Sequence, residues 1–422
     1  MSVVTYKPAR ESGIFSIGAI PAHWESVRFK NILSERGDRS LNGEEELLSV
    51  SSYTGVTPKS NSTNSGDFLS RAETLEGYKI CHRYDLVMNI MLAWNRGLGV
   101  TSHDGIVSPA YCVFQLGPNL DPGFCDYALR SDEYTSYYRI HSSGVVDSRL
   151  RLYPDVFGSL NCALPPYDEQ IAIAAFLDHE TGKIDDLIAE QEQLISLLDE
   201  KRQAVISNAV TKGLNPDGEM NDSGIEWLGE VPAHWTIAPY KTLVDIQNGR
   251  DHKNIESERG YPVMGSGGAF AFATDFIYDG EAVLLGRKGT IDRPLYINGP
   301  FWCVDTMYWA KIRDGAHGRY AYYAALTIPF SYYSTNTALP SMTKTDLGNH
   351  KVPIPSLVEQ KKIAEYLDSL TQRMSDLKRE ATEGIALLKE RRSALISAAV
   401  TGKIDVRNHP AAVAALNKNK DN

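Results

Sequence analysis

Two histidines in identical surroundings are the first candidates for chemistry. His23 and His234 each lie in the tetrapeptide Pro-Ala-His-Trp, and a histidine there could act as a general acid or base or as a metal ligand. The tetrapeptide occurs twice while the sequence between its copies diverges, and a catalytic site has no need to be duplicated in this way. Both histidines are therefore interpreted as packing partners of Trp24 and Trp235.

Motifs of catalytic or phosphate-binding sites are otherwise missing. Leu164-Pro165-Pro166-Tyr167 resembles the [DN]PP[YF] motif of amino-methyltransferases, but Leu164 stands where a polar side chain would accept hydrogen bonds from the target amine. The Gly265-Ser266-Gly267-Gly268 turn lacks the third glycine of a dinucleotide fingerprint and is interpreted as structural. The sequence contains no GxxxxGK[ST], HExxH or GxSxG motif and no PD-(D/E)xK nuclease spacing. We therefore expect a noncatalytic protein.

Length and composition restrict the class of protein. The 422 residues allow about three domain-sized units, and no long apolar run or signal-peptide pattern is present, so we expect a cytoplasmic protein without a membrane partner. The five cysteines form no CxxC pair, which predicts buried reduced thiols and no zinc site. A net charge of −10 argues against indiscriminate nucleic-acid binding, because phosphate neutralisation needs clustered lysine and arginine.

Two blocks of sequence each occur twice. The block that starts at Glu169 returns at Glu359, and Ser12–Trp24 returns as Ser223–Trp235. The two offsets differ, and the sequences between the blocks, about residues 25–160 and 236–350, do not align with each other. Each half of the chain is therefore a fixed frame around a variable insert, with a period far longer than that of a solenoid repeat.

The block at Glu169 and its copy at Glu359 predict one long amphipathic helix in each half. Apolar residues recur there at steps of three and four, the a/d spacing of a coiled coil, and prolines precede and Gly213 or Gly402 follows each helix. The simplest arrangement buries the two stripes against each other, although an external coiled-coil partner or a structural stalk stays open. The residues assigned to the helix seam or to partner binding are Leu177, Ile184, Leu187, Leu194, Leu198, Leu367, Met374, Leu377, Leu388 and Leu395.

The inserts predict compact mixed α/β globules. Short apolar runs, such as residues 85–91, 110–114 and 282–285, lie between clusters of Gly, Asn, Asp and Pro, a pattern typical of strands joined by turns. Helical patches intervene around residues 125–139 and 320–328.

These features together resemble a known family. The Pro-Pro-x-x-Glu-Gln-x-x-Ile-Ala-x-x-Leu-Asp motif at Pro165–Asp178, its copy at Glu359–Asp368, the GxxPxHW lead-ins and the divergent inserts are similar to the DNA specificity subunit of type I restriction-modification systems. The resemblance covers nearly the whole chain. It implies an α+β fold in which two mixed α/β target recognition domains are separated by two long antiparallel coiled-coil helices, with a pseudo-twofold internal repeat.

The resemblance also implies a division into parts. Residues 1–165 would form the first target recognition domain with its lead-in, residues 166–213 the first spacer helix, residues 214–355 the second recognition domain, residues 356–403 the second spacer helix and residues 404–422 a polar tail.

A noncatalytic function follows from the same resemblance. Each recognition domain would read one half of a bipartite target in double-stranded DNA, and the helices would dock two methyltransferase subunits. The chain itself would need no cofactor or metal, since the methyltransferase subunits would bind S-adenosylmethionine and the motor-nuclease subunits would use ATP and Mg. A noncatalytic adaptor or scaffold of another DNA-modification or defence complex remains the alternative, and the absent cofactor motif disfavours a self-contained methyltransferase.

Candidate DNA-contacting residues follow from side-chain chemistry in the inserts. Arginine can bind guanine through two hydrogen bonds and asparagine can do the same to adenine, which favours Asn95, Arg96 and Arg287. The alternative for each is an exposed turn or a structural salt bridge. The candidates are Tyr53, Thr54, Lys59, Asn95, Arg96, Ser143 and Arg149 in the first insert and Ser266, Gly267, Arg287, Lys288, Ser341 and Lys344 in the second.

Overall fold

The computed structural model describes residues 6, 8–61, 74–333 and 341–420. The chain forms two compact units, which we call unit 1 (residues 1–191 and 383–422) and unit 2 (residues 192–382). Each unit therefore contains one insert with its lead-in and a part of each long helix.

Unit 1 is built mainly from short strands. They are β1 (Ala9–Glu11), β2 (Ala19–Pro21), β3 (Glu25–Arg28), β4 (Leu33–Glu35), β5 (Leu48–Ser51), β6 (Gly55–Pro58), β7 (Lys79–Cys81), β8 (Leu86–Asn89), β9 (Leu98–Val100), β10 (Gly105–Val107), β11 (Tyr111–Leu116) and β12 (Asn161–Leu164). The helices of the first insert are α1 (Pro122–Leu129), α2 (Asp132–His141) and α3 (Pro154–Ser159), and α4 (Tyr167–Lys212) begins in this unit.

The main sheet of unit 1 has the order β4-β11-β8-β9 among the described strands. Its central strand β8 is buried at every position, which explains its continuous apolar run. The core beneath it is aromatic: Phe29 stacks on Phe157 with ring centres 4.5 Å apart, and Tyr134 and Tyr138 are fully buried beside them. The predicted strands and helical patches of this insert are confirmed.

Unit 2 has the same order of elements around a larger sheet. Its strands are β13 (Met220–Asp222), β14 (Glu230–Pro232), β15 (Thr236–Pro239), β16 (Val244–Asn248), β17 (Glu256–Ser257), β18 (Tyr261–Gly265), β19 (Gly268–Ala273), β20 (Tyr278–Gly286), β21 (Leu295–Cys303), β22 (Met307–Ile312) and β23 (Lys351–Ile354). Its helices are α5 (Gly318–Ala325), α6 (Phe330–Tyr333) and α7 (Lys344–Asn349), and α8 (Leu357–Val400) begins here. The main sheet has the order β16-β22-β20-β21-β18-β19-β17 among the described strands. After α8 the chain ends, within unit 1, in α9 (Pro410–Lys420).

The duplicated frame explains the two unequal sequence offsets. In unit 1, β1 pairs with β2 and β3 pairs with β12; in unit 2, β13 pairs with β14 and β15 pairs with β23 in the same registers. Each lead-in therefore ends in a strand that is hydrogen-bonded to the strand just before the long helix, and the insert lies between them. Inserts of different length change the offset without disturbing either ladder.

A glutamate at the start of each long helix ties the helix to its lead-in. Glu169 accepts hydrogen bonds from the indole of Trp24 at 3.0 Å and lies 2.8 Å from Nε2 of His23. Glu359 has the same partners in unit 2, since Nε2 of His234 lies at 2.7 Å and the Trp235 indole donates at 3.3 Å. The histidines thus have the structural role that the sequence predicted.

The long helices start and end where the sequence signals predict. At the start of α8, Ser356 and Glu359 exchange hydrogen bonds in a capping box. After the helices, Gly213 and Gly402 have left-handed φ angles of 75° and 69°. A Cβ at Gly213 would lie 3.1 Å from the ring of Trp235, so the glycine also permits close packing on the lead-in.

The two helix segments run antiparallel in each unit. In unit 1, Arg392 pairs with Asp185 at 2.9 Å, and the later residues Ala399 and Val400 join the core that contains the earlier residue Leu177. In unit 2, the order is also reversed: Lys378 pairs with Asp199 at 2.6 Å, while Ile363 and Leu367 pack with Ile206 and Val210.

Seven of the ten predicted seam residues face inward, and at the other three positions the next residue along the helix does so instead. Leu177, Ile184, Leu367 and Met374 are buried, and Leu198, Leu388 and Leu395 are partly buried. By contrast, Leu187, Leu194 and Leu377 are 46, 40 and 49% exposed, so these three are not intrachain seam positions and remain candidates for partner binding. The partly buried neighbours that replace them are Ile188, Ile195 and Lys378, and Arg392 is partly buried as well. Two of these are basic, because a long stem can lie in the contact while its charged end reaches an aspartate.

All five cysteines are free and buried, as predicted. Burial raises the pKa of the Cys81 and Cys303 thiols to about 12, which keeps them protonated and unreactive at neutral pH.

Candidate nucleic-acid interface

The segment from Tyr53 to Lys59 is a β-hairpin and not a single contact loop. Tyr53 and Thr54 form its exposed tip, where Oγ of Ser51 accepts a hydrogen bond from the backbone N–H of Tyr53 at 3.1 Å. Lys59 follows β6, at the other end of a strand that is about 13 Å long. Tyr53 and Thr54 therefore lie at one end of β6 and Lys59 at the other, because the Gly55 backbone pairs with Ser51 and starts a strand.

Asn95 and Arg96 close the turn between β8 and β9. Arg96 has a left-handed backbone with a φ of 59°, and a Cβ at Gly97 would lie 2.5 Å from Leu92, so the turn needs its glycine. The guanidinium of Arg96 forms an ion pair with Asp132 in the first turn of α2, and Asn95 is exposed. An exposed pair of this kind contributes little stability, so Arg96 can exchange its carboxylate for a DNA group at small cost.

A cavity of about 210 Å³ joins the hairpin tip to Arg96. Arg130 donates a hydrogen bond to the backbone oxygen of Tyr53 at 3.1 Å, and Arg392 of α8 completes a lining of three guanidinium groups against two carboxylates. Nε of Arg130 is buried and has no hydrogen-bond partner among the described residues. Burial raises the pKa of the neighbouring Asp126, and Arg130 lowers it in part. Three guanidinium groups lining one cavity suit a phosphate or another anion, which would compete with their carboxylate partners Asp132, Asp126 and Asp185.

Ser143 and Arg149 lie on the segment that follows α2, beside the same turn. The backbone N–H of Leu152 donates to the carbonyl of Ile90 at 2.9 Å, which fixes this segment against the end of β8. Ser143 and Arg149 are both exposed. The structure thus ties Asn95 and Arg96 and the segment with Ser143 and Arg149 to the end of β8, with Arg96 at the first turn of α2 and Ser143 beyond its last turn.

In unit 2, Arg287, Lys288 and Ser341 come together after β20. Lys288 and Ser341 form an antiparallel bridge, and the N–H of Met342 donates to the carbonyl of Arg287 at 3.1 Å. The guanidinium of Arg287 donates to the backbone oxygen of Asp305 at 3.2 Å, while Lys288 is exposed. Arg287 therefore has a structural contact and is still a candidate for DNA binding, since its hydrogen bond orients the side chain without neutralising its charge.

The other candidates of unit 2 reach the same neighbourhood through the loop between β21 and β22. Ser266 and Gly267 form the tip of the β18–β19 hairpin, and the carbonyl of Met264 in this hairpin accepts from the N–H of Val304 at 3.2 Å. The carbonyl of Thr306 in the same loop accepts from the N–H groups of Arg287 and Lys288. Lys344 is the exposed first residue of α7.

Sequence reasoning missed several basic residues near these groups. Arg250 is exposed, and its N–H donates to the carbonyl of Cys303 at 2.8 Å, beside the β21–β22 loop. Its signal in the sequence is the Gly249-Arg250 pair after a strand, which matches Gly286-Arg287. In unit 1, the guanidinium of Arg139 lies 5.2 Å from the ring centre of Trp94. Arg130 and Arg139 lie at a helix end and within a helix, where no local pattern marks them.

The described part of the chain shows neither a group of metal-binding side chains nor a membrane-spanning helix. No group of three or more His, Cys, Asp or Glu side chains is placed to hold a metal ion. Within residues 6, 8–61, 74–333 and 341–420, no helix has the length and apolar character needed to cross a membrane.

Comparison with known proteins agrees with this geometry. Residues 232–386 match the family described as type I restriction modification DNA specificity domain. The chain is also 25% identical over 431 residues to the type I restriction enzyme MjaVIII specificity subunit of Methanocaldococcus jannaschii, an alignment that covers 92% of this chain and 95% of that protein. The chain is therefore similar, along nearly its whole length, to type I restriction enzyme specificity subunits. The resemblance to the specificity subunit family that the sequence motifs indicated is confirmed.

Solved structures of specificity subunits share the fold. The HsdS subunit from Thermoanaerobacter tengcongensis aligns with a TM-score of 0.53 and 17% identity over 91% of this chain and 98% of that chain. A chain from a structure on complex assembly and conformational transition of the type I R-M system aligns with a TM-score of 0.69 and 17% identity over 90% and 98% of the two chains. The predicted α+β class with two sheet-rich domains and two long helices is confirmed.

Proposed function

We propose that this specificity subunit reads a bipartite target in double-stranded DNA, with one half-site for each unit. The observation that carries the proposal is that the two units repeat one frame in the same register around two different sheets. A duplicated frame with unlike inserts suits a protein that presents two different reading surfaces in the same way.

The chemistry of each reading surface supports direct contact with DNA. Unit 1 presents Asn95 beside Arg96 and the Arg130 cavity, and unit 2 presents Arg287 and Lys288 beside Arg250. Guanidinium and amide groups can read base edges in the major groove, and lysines can neutralise phosphates. The chain has a net charge of −10, so binding depends on these local groups and not on the overall charge.

The long helices supply equivalent surfaces for two methyltransferase subunits. Each unit exposes leucines of both helices: Leu187 and Leu387 in unit 1 are 46 and 66% exposed, and Leu197 and Leu377 in unit 2 are 51 and 49% exposed, beside Leu194 at 40%. The two pairs occupy matching positions of the sequence repeat. Exposed leucines at equivalent places indicate protein contacts, and their duplication favours two copies of one partner.

The chemistry of the complex would belong to its other subunits. The methyltransferase subunits would bind S-adenosylmethionine and methylate adenine, and the restriction motor-nuclease subunits would use ATP and Mg for translocation and cleavage. In this proposal the chain itself is a noncatalytic subunit.

Exchange of one insert tests the proposal. Residues 25–160 are replaced by the insert of a relative, the chimaera is coexpressed with its methyltransferase subunit, and methylated adenines are mapped across the host genome. We expect one half-site to change and the other to stay. A change of both half-sites would contradict one half-site per unit, and an assembled complex that does not retain DNA would favour the adaptor alternative.

A further inference from the structure

The glutamate at the start of α4 is closed off from solvent by an aromatic side chain. Tyr6 donates its hydroxyl hydrogen to Glu169, and its ring lies 5.6 Å from the ring of His23 and 6.2 Å from that of Trp24. Burial and the contact with Glu169 raise the pKa of the Tyr6 phenol well above its ordinary value, so it remains a hydrogen-bond donor. The side chain of Glu169 is only 5% exposed as a result.

A cation covers the outer side of this tyrosine. The guanidinium of Arg407 lies 5.0 Å from the ring centre of Tyr6, and Asp405 holds it at 2.6 Å. Unit 1 thus fills the space beside its glutamate with two separate pieces of chain, the segment at Tyr6 and the segment that follows α8.

The equivalent place in unit 2 is an open cavity. Glu359 keeps its histidine and tryptophan partners and also accepts hydrogen bonds from Ser356, but its side chain is 33% exposed. The cavity beside it has a volume of about 330 Å³, within the range of about 300 to 1,000 Å³ for ligand pockets. Its lining includes Trp235, His234, Ile363, Lys212 and Lys362.

A difference in chain connection explains the cavity. In unit 2 the single connection 213–219 runs from α4 to β13, where unit 1 has two segments. Tyr6 stands three residues before β1, and Asp217 stands three residues before β13, whose ladder has the same register. The aromatic ring that closes the site in unit 1 therefore has no counterpart at the matching position of unit 2.

We propose that the cavity beside Glu359 is a docking socket for a tyrosine side chain of a partner protein. The phenol donates its hydroxyl hydrogen to Glu359 and its ring lies against Trp235 and His234, as Tyr6 does in unit 1. Lys212 and Lys362 form no ion pair with any described residue and favour an acidic residue next to the tyrosine. The proposal rests on the proposed function only in expecting a protein partner.

A short peptide tests the socket in the full chain without DNA or other subunits. The protein is labelled with 5-fluorotryptophan, and the fluorine signal of Trp235 is assigned with Trp235→Phe. N-acetyl-Glu-Tyr-amide is then compared with N-acetyl-Glu-Phe-amide, which lacks only the hydroxyl group. We expect a saturable shift of the Trp235 signal, with binding of the phenylalanine peptide about tenfold weaker because a hydrogen bond to a charged group is lost.

Three outcomes would overturn the proposal. They are no response of Trp235 to the tyrosine peptide, equal responses to the two peptides, or an equal response of Trp24, whose site is already closed. The titration needs no partner subunit, so its failure would not contradict the DNA-reading proposal. Conversely, a failure of half-site reading would not change the result of the titration.

Asp217→Tyr supplies an independent test. The new tyrosine stands where Tyr6 stands in unit 1, so we expect it to fill the socket, move the Trp235 signal and abolish the response to the tyrosine peptide. An unchanged response in the folded variant would show that the two positions are not equivalent. Glu359→Gln keeps the shape of the acceptor and should weaken binding of the tyrosine peptide several-fold, and undiminished binding would contradict the role of Glu359.

Discussion

Trp24 donates its indole N–H to Glu169 over 3.0 Å, across 145 positions of the chain. The tryptophan ends the lead-in and the glutamate starts the long helix, so one hydrogen bond joins the two duplicated blocks of the frame. The same bond recurs in unit 2 between Trp235 and Glu359. The repeat therefore preserves a joint, and the inserts vary around it.

Removal of the negative charge should weaken this joint more in unit 1 than in unit 2. Glu169→Gln leaves one acceptor oxygen for three donors at a buried site, and we expect a loss of about 1 to 3 kcal/mol of unfolding free energy. Glu359→Gln is the corresponding variant of unit 2 and should cost less, because Glu359 is 33% exposed and a glutamine can keep the capping-box bond to Ser356. Urea unfolding with hydrogen exchange to identify the unit measures both losses. Equal losses would contradict this account.

A base-reading role for Arg287 can be separated from a phosphate contact. Arg287→Ala should lose about 1 to 3 kcal/mol of binding and relax one position of the target, whereas Lys288→Ala should weaken binding to all sequences alike. Arg313→Ala is the control. The strand β22 begins at Met307, next to the loop that contacts Arg287, and Arg313 follows its other end. Binding is measured with the assembled complex at two salt concentrations. Unchanged affinity of both variants would return this turn to a structural role.

The frame was largely predictable from the sequence because its signals are local and duplicated. The prolines before the helices, the glycines after them and the repeated Glu-Gln pair gave the bounds of α4 and α8 within a few residues. The strands around residues 86–89 and 111–116 were predicted from apolar runs between turn residues, and residues 86–89 and 112–114 of these strands are buried on both faces.

The remaining features depend on tertiary contacts that leave no local pattern. Arg392 and Lys378 lie partly buried in the helix contact and pair with aspartates on the other helix, and a count of apolar residues cannot show this. Arg130 enters the candidate interface only because the hairpin tip at Tyr53 folds over it. The closure of Glu169 by Tyr6 likewise joins residues 163 positions apart.

Polar substitution of one leucine pair should remove one methyltransferase subunit. Leu187→Ser with Leu387→Ser changes exposed side chains of unit 1, so folding should be nearly unaffected while a partner contact is lost. Leu197→Ser with Leu377→Ser should remove the other copy, and Ile184→Ser is a control that destabilises the helix contact itself. Native mass spectrometry of the coexpressed complex counts the copies. Two copies bound to either double variant at wild-type strength would exclude these leucines as docking residues.

Acid should destabilise unit 2 through His350. This ring is buried between Trp227 and Tyr333, and burial lowers its pKa from 6.5 to about 4. Below pH 6.5 the unfolded chain takes up a proton that the folded chain does not, so stability falls as the pH drops from 6.5 to about 4 and is unaffected above. The full contribution is about 3 kcal/mol. His350→Gln should remove this part of the pH dependence in urea unfolding, and an unchanged profile would show that another group causes it.

The length of the helices should set the gap between the half-sites. Each long helix is continuous through both units, since α4 contributes residues 167–191 to unit 1 and 192–212 to unit 2. We therefore insert seven residues after Gln191 and seven after Thr382. A heptad keeps the partly buried row at Ile188 and Ile195 in phase, whereas an insertion of four residues would rotate it.

Seven helical residues add about 10.5 Å, and duplex DNA rises about 3.4 Å per base pair. We expect the preferred gap to grow by about two or three base pairs while both half-sites stay the same. The insertion in α4 alone is the control, because the Arg392–Asp185 and Lys378–Asp199 pairs lie on opposite sides of it and could no longer both form, which should destabilise the helix pair. Methylation mapping of the doubly lengthened protein measures the gap. An unchanged gap in a folded, active complex would mean that spacing is set by the partner subunits and not by these helices.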